Sequence, residues 1–295
     1  MIWPFNRHKR KIAKIEITGL IAANTRKQVL KALKQVEEEK YPALLLRIDS
    51  PGGTVGDSQE IYSALKRLGE KIKIVASFGN ISASGGVYIG MGAAHIMANP
   101  GTITGSVGVI LRGNNLERLL DKVGVSFKVI KSGPYKDILS FDRQLTKPEQ
   151  EILQALIDTS YQQFVETIAT ARNLEVNTVK QFADGRIFTG QQALNLGLVD
   201  RLGTEEEARR WTAELVGLDP NKAEAIVIEE PKPLLSRFIA NQSLEHSPSL
   251  LAATIASLIG SGYLGHISPH IRQESLDWLN FELKYQGQPL WLYHP

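Results

Sequence analysis

Four short segments carry residue types that could together perform acyl transfer. In NISASGGVYIG (Asn80–Gly90), Ser84 is followed by Gly85 and Gly86 and then by an apolar run. A serine at a tight turn, with small neighbours and a helix starting behind it, offers its hydroxyl to a substrate. That hydroxyl is a poor nucleophile until a base takes its proton. The histidines are His8, His95, His246, His266, His270 and His294. Only His95 lies in the central part of the chain, on a strand-like stretch where a lone histidine reads as a core residue. A Ser-His-Asp triad is therefore poorly supported.

Lysine can replace histidine when burial disfavours its ammonium and a nearby hydroxyl holds the neutral amine. In KSGPYKDIL (Lys131–Leu139), Lys136 lies between a Gly-Pro turn and an apolar pair, and Lys131 is its rival. An oxyanion needs backbone N–H groups aimed at the developing charge. Pro51-Gly52-Gly53 ends an apolar run with amides free to take unusual dihedrals, and Gly85 supplies the amide after Ser84. In GTITGSVGV (Gly101–Val109), two glycines bracket Ser106, whose hydroxyl could orient a lysine amine; taken alone it reads rather as a structural turn serine.

The elements that must position these groups alternate between strand and helix over residues 12–230. Strands are expected at Ile12–Thr18, Ala43–Ile48, Lys71–Phe78, Ala94–Ala98, Ser126–Ile130 and Ala223–Ile228. Helices are expected at Thr25–Glu38, Asp57–Leu68, Gly85–Ala94 and Asn114–Val123. Two more begin at the capping boxes Thr146–Glu149 and Thr204–Glu207. Such alternation indicates a parallel sheet covered by helices.

Composition narrows the function classes. Among 295 residues there is no cysteine, which excludes disulfides, thiolate zinc sites and cysteine nucleophiles. A net charge of +3 is too small to argue for nucleic acid. Arg7, Lys9, Arg10, Lys11 and Lys14 follow Trp3 and Phe5, a pattern suited to anionic lipid headgroups. The segment His246–Ile271 carries no charged residue, but its apolar centre is shorter than the roughly 20 residues a membrane span needs. Neither a signal peptide nor a clear transmembrane helix is expected. Pro231-Lys232-Pro233 reads as a linker. The expected organisation is a basic segment 1–11, a catalytic domain 12–230, and a helical extension 231–295 whose late aromatics must dock on something.

The ordered motifs SPGG, ASGG, TGSVGV and SGPYKD, with ADGRIFTGQQALNLGLVDRLG downstream, resemble the signal peptide peptidase A family of serine peptidases, the protease IV type. The resemblance covers residues 12–203 and is to the short, single-copy form. It implies an α/β, crotonase-like and ClpP-like fold and a Ser-Lys dyad, with Ser84 as nucleophile and Lys136 as base. By the same resemblance Gly53 and Gly85 are the oxyanion donors and Ser106 orients the lysine. It implies no cofactor and no metal, and peptide substrates: residual signal peptides and other short or unfolded apolar chains, cut without ATP. It also implies a homo-oligomeric ring, an octamer by analogy. The chain departs from the family in lacking the opening membrane helix. A cytoplasmic location with peripheral membrane contact is expected instead. Two other readings compete: a crotonase-type acyl-CoA enzyme, which would need neither Ser84 nor Lys136, and a scaffold that has lost turnover.

Overall fold

A run such as Ala43–Ile48, apolar at all but one position, must be covered on both faces if it forms a strand. The computed structural model, which describes residues 10–228 and the backbone of Leu290–Leu292, shows this arrangement. The elements in chain order are β1 (Lys11–Thr18), α1 (Ala23–Glu38), β2 (Ala43–Ser50), β3 (Gly52–Thr54), α2 (Val55–Gly69), β4 (Lys73–Ala83), α3 (Gly85–Gly90), β5 (His95–Ala98) and β6 (Ile103–Gly105). They continue as α4 (Glu117–Val123), α5 (Lys147–Arg172), α6 (Val176–Lys180), β7 (Ile187–Thr189), α7 (Gly190–Asn195), β8 (Arg201–Leu202), α8 (Glu205–Leu215), β9 (Glu224–Val227) and β10 (Leu290–Leu292).

An eight-stranded sheet runs in the order β7-β6-β4-β2-β1-β9, with β5 pairing both β4 and β8. All its pairings are parallel except β6–β7. Along β2, side chains alternate between two cores. Leu44, Leu46 and Ile48 join Ile74, Ala76 and Phe78, and pack with Val29 and Leu33 of α1, Ile61 and Leu65 of α2, and Phe164 and Ile168 of α5. Ala43 and Leu45 join Val75 and Met97 and pack with Ala208 and Trp211 of α8. Each fully buried Leu, Ile or Phe here stabilises the fold by about 1.5–3 kcal/mol relative to exposure.

Four expectations shift. The helix expected from Asn114 begins at Glu117. β4 continues to Ala83, beyond the expected end at Phe78, because its second half gains a new partner: Val75–Phe78 pair with β5 and Ile81–Ala83 with β6. α3 stops at Gly90 instead of running to Ala94. The strand expected over Ser126–Ile130 does not form. No described strand lies beside it, and an unpaired strand in water has no stable ladder. The capping boxes at Thr146–Glu149 and Thr204–Glu207 open α5 and α8 as expected, and a third, Thr189–Gln192, opens α7.

Residues 10–228 and β10 belong to one compact unit, and a second unit, Pro231–Gly287, lies outside the described residues. Also outside them are most of the basic start, the linker at Pro231–Pro233, the charge-free segment 246–271 and most of the aromatic tail. Among the described residues, no helix is long and apolar enough to cross a membrane.

Candidate active site

Three of the four motifs meet where parallel strands end, the edge at which open α/β sheets bind ligands. Register explains why. Ser50 pairs with Ser82 between β2 and β4, and Ala83 pairs with Gly105 between β4 and β6. Ser84 and Ser106, each the first residue past its strand, are thus brought side by side, and the Ser84 N–H donates to the Gly105 carbonyl at 2.8 Å. Gly52 and Gly53 follow β2 and lie in β3, which packs on α3 directly behind Ser84.

Ser84 is held at φ 51°, ψ −113°, between the end of β4 and the start of α3. A non-glycine residue there stores about 1–3 kcal/mol of strain, tolerated only when the surroundings enforce it. They do: its N–H is bonded to Gly105, and its carbonyl accepts from the Tyr88 N–H at 3.0 Å. Its hydroxyl is buried and has no hydrogen-bond partner among the described residues. An orphaned buried polar group is uncommon and calls for a cause, such as a catalytic role. The Ser82 hydroxyl is also buried and unpartnered, but it sits inside β4 beneath Gly86, where a Cβ would lie 3.3 Å from it.

The two candidate oxyanion donors are set by backbone. The Gly85 N–H is in the first turn of α3, where helical amides have no intrahelical acceptor. At Gly53 a Cβ would sit 1.8 Å from the Ile21 carbonyl oxygen, so only glycine fits. Ser106 also adopts a positive φ, 50°, and its N–H donates to the Arg186 carbonyl at 2.8 Å. Only 8% exposed, Ser106 lies at the edge of a cleft of about 530 Å³ lined also by Val109, Arg112, Tyr161 and Asp184.

The fourth motif is not brought to this place within one chain. Lys136 is exposed, and its amine has no hydrogen bond or ion pair among the described residues. Its rival Lys131 is engaged, donating to Asp137 Oδ1 at 2.6 Å and to the Pro134 carbonyl at 3.1 Å. Both lysines belong to an arm, residues 111–145, joined to the start of α5 through Arg143. This guanidinium donates to Asp137 Oδ1 at 2.9 Å and to Glu149 Oε2 at 2.9 Å. Glu149 is 2% exposed and also accepts from the Thr146 N–H at 2.8 Å. The sequence showed Glu149 only as a capping residue; nothing in the spacing marked Arg143 as the clasp.

Acid should loosen that clasp. The hydrogen bond from Arg143, with the Thr146 N–H second, holds the Glu149 carboxyl down to about 2 from its ordinary 4.5. Arg143, and then Lys131, also lowers Asp137. A depressed carboxyl supports the folded form above its unfolded value, and this support is lost as pH falls through the folded value. Arm amide resonances should therefore move toward random-coil positions between pH 4.5 and about 2. Arg143→Gln should cut their hydrogen-exchange protection about tenfold at neutral pH. Unchanged protection in that variant would remove the clasp from the account.

His95 behaves as the core reading expected: its ring packs on Trp211 with centroids 4.9 Å apart, and burial lowers its basicity. It is not placed to serve Ser84.

The family model for peptidase family S49 matches residues 66–219. A Synechocystis sp. protein with a provisional protease name is 68% identical over 294 residues, 99% of this chain and 100% of its own length. The chloroplastic serine protease SPPA of Arabidopsis thaliana is 31% identical over 79% of this chain, which spans only 33% of that protein. Among solved structures, a point mutant of the 1510-N membrane-bound stomatin-specific protease superposes with a TM-score of 0.52 at 16% identity, over 74% of this chain and 97% of that one. The last likeness concerns fold alone and fits the expected ClpP-like, crotonase-like class. On the first two, the chain belongs to peptidase family S49 and is a serine-type peptidase.

Proposed function

We propose that this peptidase cuts short or unfolded apolar polypeptides, residual signal peptides among them, with a Ser84–Lys136 dyad, and that Lys136 reaches Ser84 from a neighbouring copy in a ring. The observation that carries the reading is the Ser84 hydroxyl, strained into place and without a hydrogen-bond partner among the described residues, at the start of a helix that packs on the strand holding Gly53. Two features favour a base in trans. Lys136 stands free in solvent on an arm whose apolar residues are uncovered: Leu119, Val123, Phe127 and Val129 are exposed, and Ile130 is 93% exposed. A run of this kind on one protein marks an interaction surface. The cleft at Ser106 also gives an incoming amine a route to a hydroxyl that can orient it. A ring of eight copies is proposed on family resemblance.

Each step follows from ordinary acyl-transfer chemistry. The neutral Lys136 amine takes the Ser84 Oγ proton as Oγ bonds to the peptide carbonyl carbon. The Gly53 and Gly85 N–H groups hold the oxyanion. The lysine returns its proton to the leaving amine as the C–N bond breaks. It then takes a proton from water as the water oxygen bonds to the acyl carbon, and gives that proton to Ser84 Oγ as the ester C–O bond breaks, which restores the free serine and the neutral amine. The test is hydrolysis of a fluorogenic apolar peptide by the chain and by its Ser84→Ala and Lys136→Ala variants. Turnover surviving Lys136→Ala would reject that base.

For location, the basic and aromatic start supports peripheral contact with the cytoplasmic face of a membrane. The protein should float with anionic liposomes at low salt and stay at the bottom with neutral ones. Failure to float with either argues against the contact.

A further inference from the structure

The Gly53 amide faces an edge that the chain itself fills. Ile21 bridges Gly53 in parallel: the Ile21 N–H donates to the Gly52 carbonyl at 2.8 Å, and the Thr54 N–H donates to the Ile21 carbonyl at 3.0 Å. Those bonds use one edge of β3. Successive residues in a strand turn their amides and carbonyls to alternate edges, so the Gly53 N–H looks the other way. On that other edge lies β10, antiparallel, with Leu290 opposite Thr54, Trp291 opposite Gly53 and Leu292 opposite Gly52. β10 also lies against α3, which begins at Gly85. One short strand therefore runs beside the elements that carry both candidate oxyanion donors.

We propose that Leu290–Leu292 is a substrate-like strand laid by the chain into its own peptide groove, so that the site is self-occupied and a substrate enters by displacing it. The proposal rests on the oxyanion roles given to Gly53 and Gly85. The segment has the chemistry that the site calls for. Residues 286–295, QGQPLWLYHP, carry no Asp, Glu, Lys or Arg and are apolar around the paired residues. Pro289, just before the paired residues, has no N–H to give a ladder. An extended chain adding to a sheet edge gains its affinity from main-chain hydrogen bonds and its selectivity from alternate side chains. A substrate taking the place of β10 would run antiparallel to β3 and set one backbone unit opposite Gly53, as Trp291 is set now.

The state of Ser84 agrees. A nucleophile with no exposed surface cannot meet a chain arriving from solvent, so something must move before catalysis. The strand on the Gly53 edge is placed to move. Self-occupancy then weakens every competing peptide by the fraction of time that the groove is empty.

The test uses the whole chain and a binding readout independent of turnover. A fluorophore is attached to the N-terminus of the peptide QGQPLWLYHP, and its anisotropy is titrated with Ser84→Ala protein, with and without Trp291→Pro. Proline removes the Trp291 N–H from the ladder and should free the groove, tightening peptide binding about tenfold or more. Leu292→Pro serves as a second opening variant, and thermal melts confirm that each is folded. In the Ser84-containing protein, the same substitutions should lower KM for a fluorogenic apolar peptide and leave kcat unchanged. Equal peptide affinity with and without the proline, or no binding to either, overturns the proposal. Tighter binding in a protein that never hydrolyses peptide would keep the strand and reject the peptidase mechanism. Hydrolysis with equal affinity would do the reverse.

Discussion

Ser84→Ala should lower kcat/KM for an apolar peptide by about 10⁴-fold or more, because a group that acts as a unit with its base takes the whole catalytic effect with it. The fold should survive, since the side chain lost makes no hydrogen bond among the described residues. Ser84→Gly should be equally inactive but should unfold at a higher temperature than Ser84→Ala. Both variants must adopt φ 51°, and only glycine does so without a Cβ penalty, a difference of about 1 kcal/mol. Activity retained by either variant would move the nucleophile elsewhere, and Ser82, buried inside its strand, would be a poor successor. A lower melting temperature for the glycine variant would mean that the strain at this turn has been misjudged.

Mixing two dead proteins should restore activity. Lys136→Ala keeps the nucleophile and Ser84→Ala keeps the base, so each alone should be inactive. If the dyad forms across a repeated, head-to-tail interface, random reassembly of equal amounts pairs an intact serine with an intact lysine at about a quarter of the sites. Roughly a quarter of wild-type turnover should then return after the two proteins are dissociated together and allowed to reassemble. A dyad closed within one chain gives no recovery at any ratio. The experiment therefore reads the source of the base directly. It also tests the arm: replacing exposed Ile130 and Phe127 by aspartate should prevent assembly and abolish the recovered activity, leaving the core packing around β2 and β4 untouched.

Both predictions start from residues legible in the amino-acid sequence. Ser84, Gly53, Gly85 and Ser106 are marked there by glycines and hydroxyls at strand ends, and the sheet's register brings together the strand ends that precede Ser84 and Ser106. Local signals of that kind read well because their cause is local: a positive φ, an amide that needs exposure, or a capping box at Thr146–Glu149. The apolar run of β2 is enough to predict burial on both faces. The failures share the opposite character. Ser126–Ile130 has strand-like residues, but a strand is a relation between two segments, and no described strand stands beside it. The continuation of β4 to Ala83 likewise depends on β6, a partner more than twenty residues away.

The sequence alone thus determined the chemistry on offer: a hydroxyl without a histidine, amides bared by glycine, a parallel sheet to carry them, and a likeness to one peptidase family. Only the tertiary structure decided which groups share a place. It set Ser84 beside Gly105 and Ser106, left Lys136 on an exposed arm, and laid β10 on the edge that carries the Gly53 amide. The physical reason is that dihedral preference and burial pattern act over a few residues, whereas strand pairing and docking join segments that a sequence pattern does not relate.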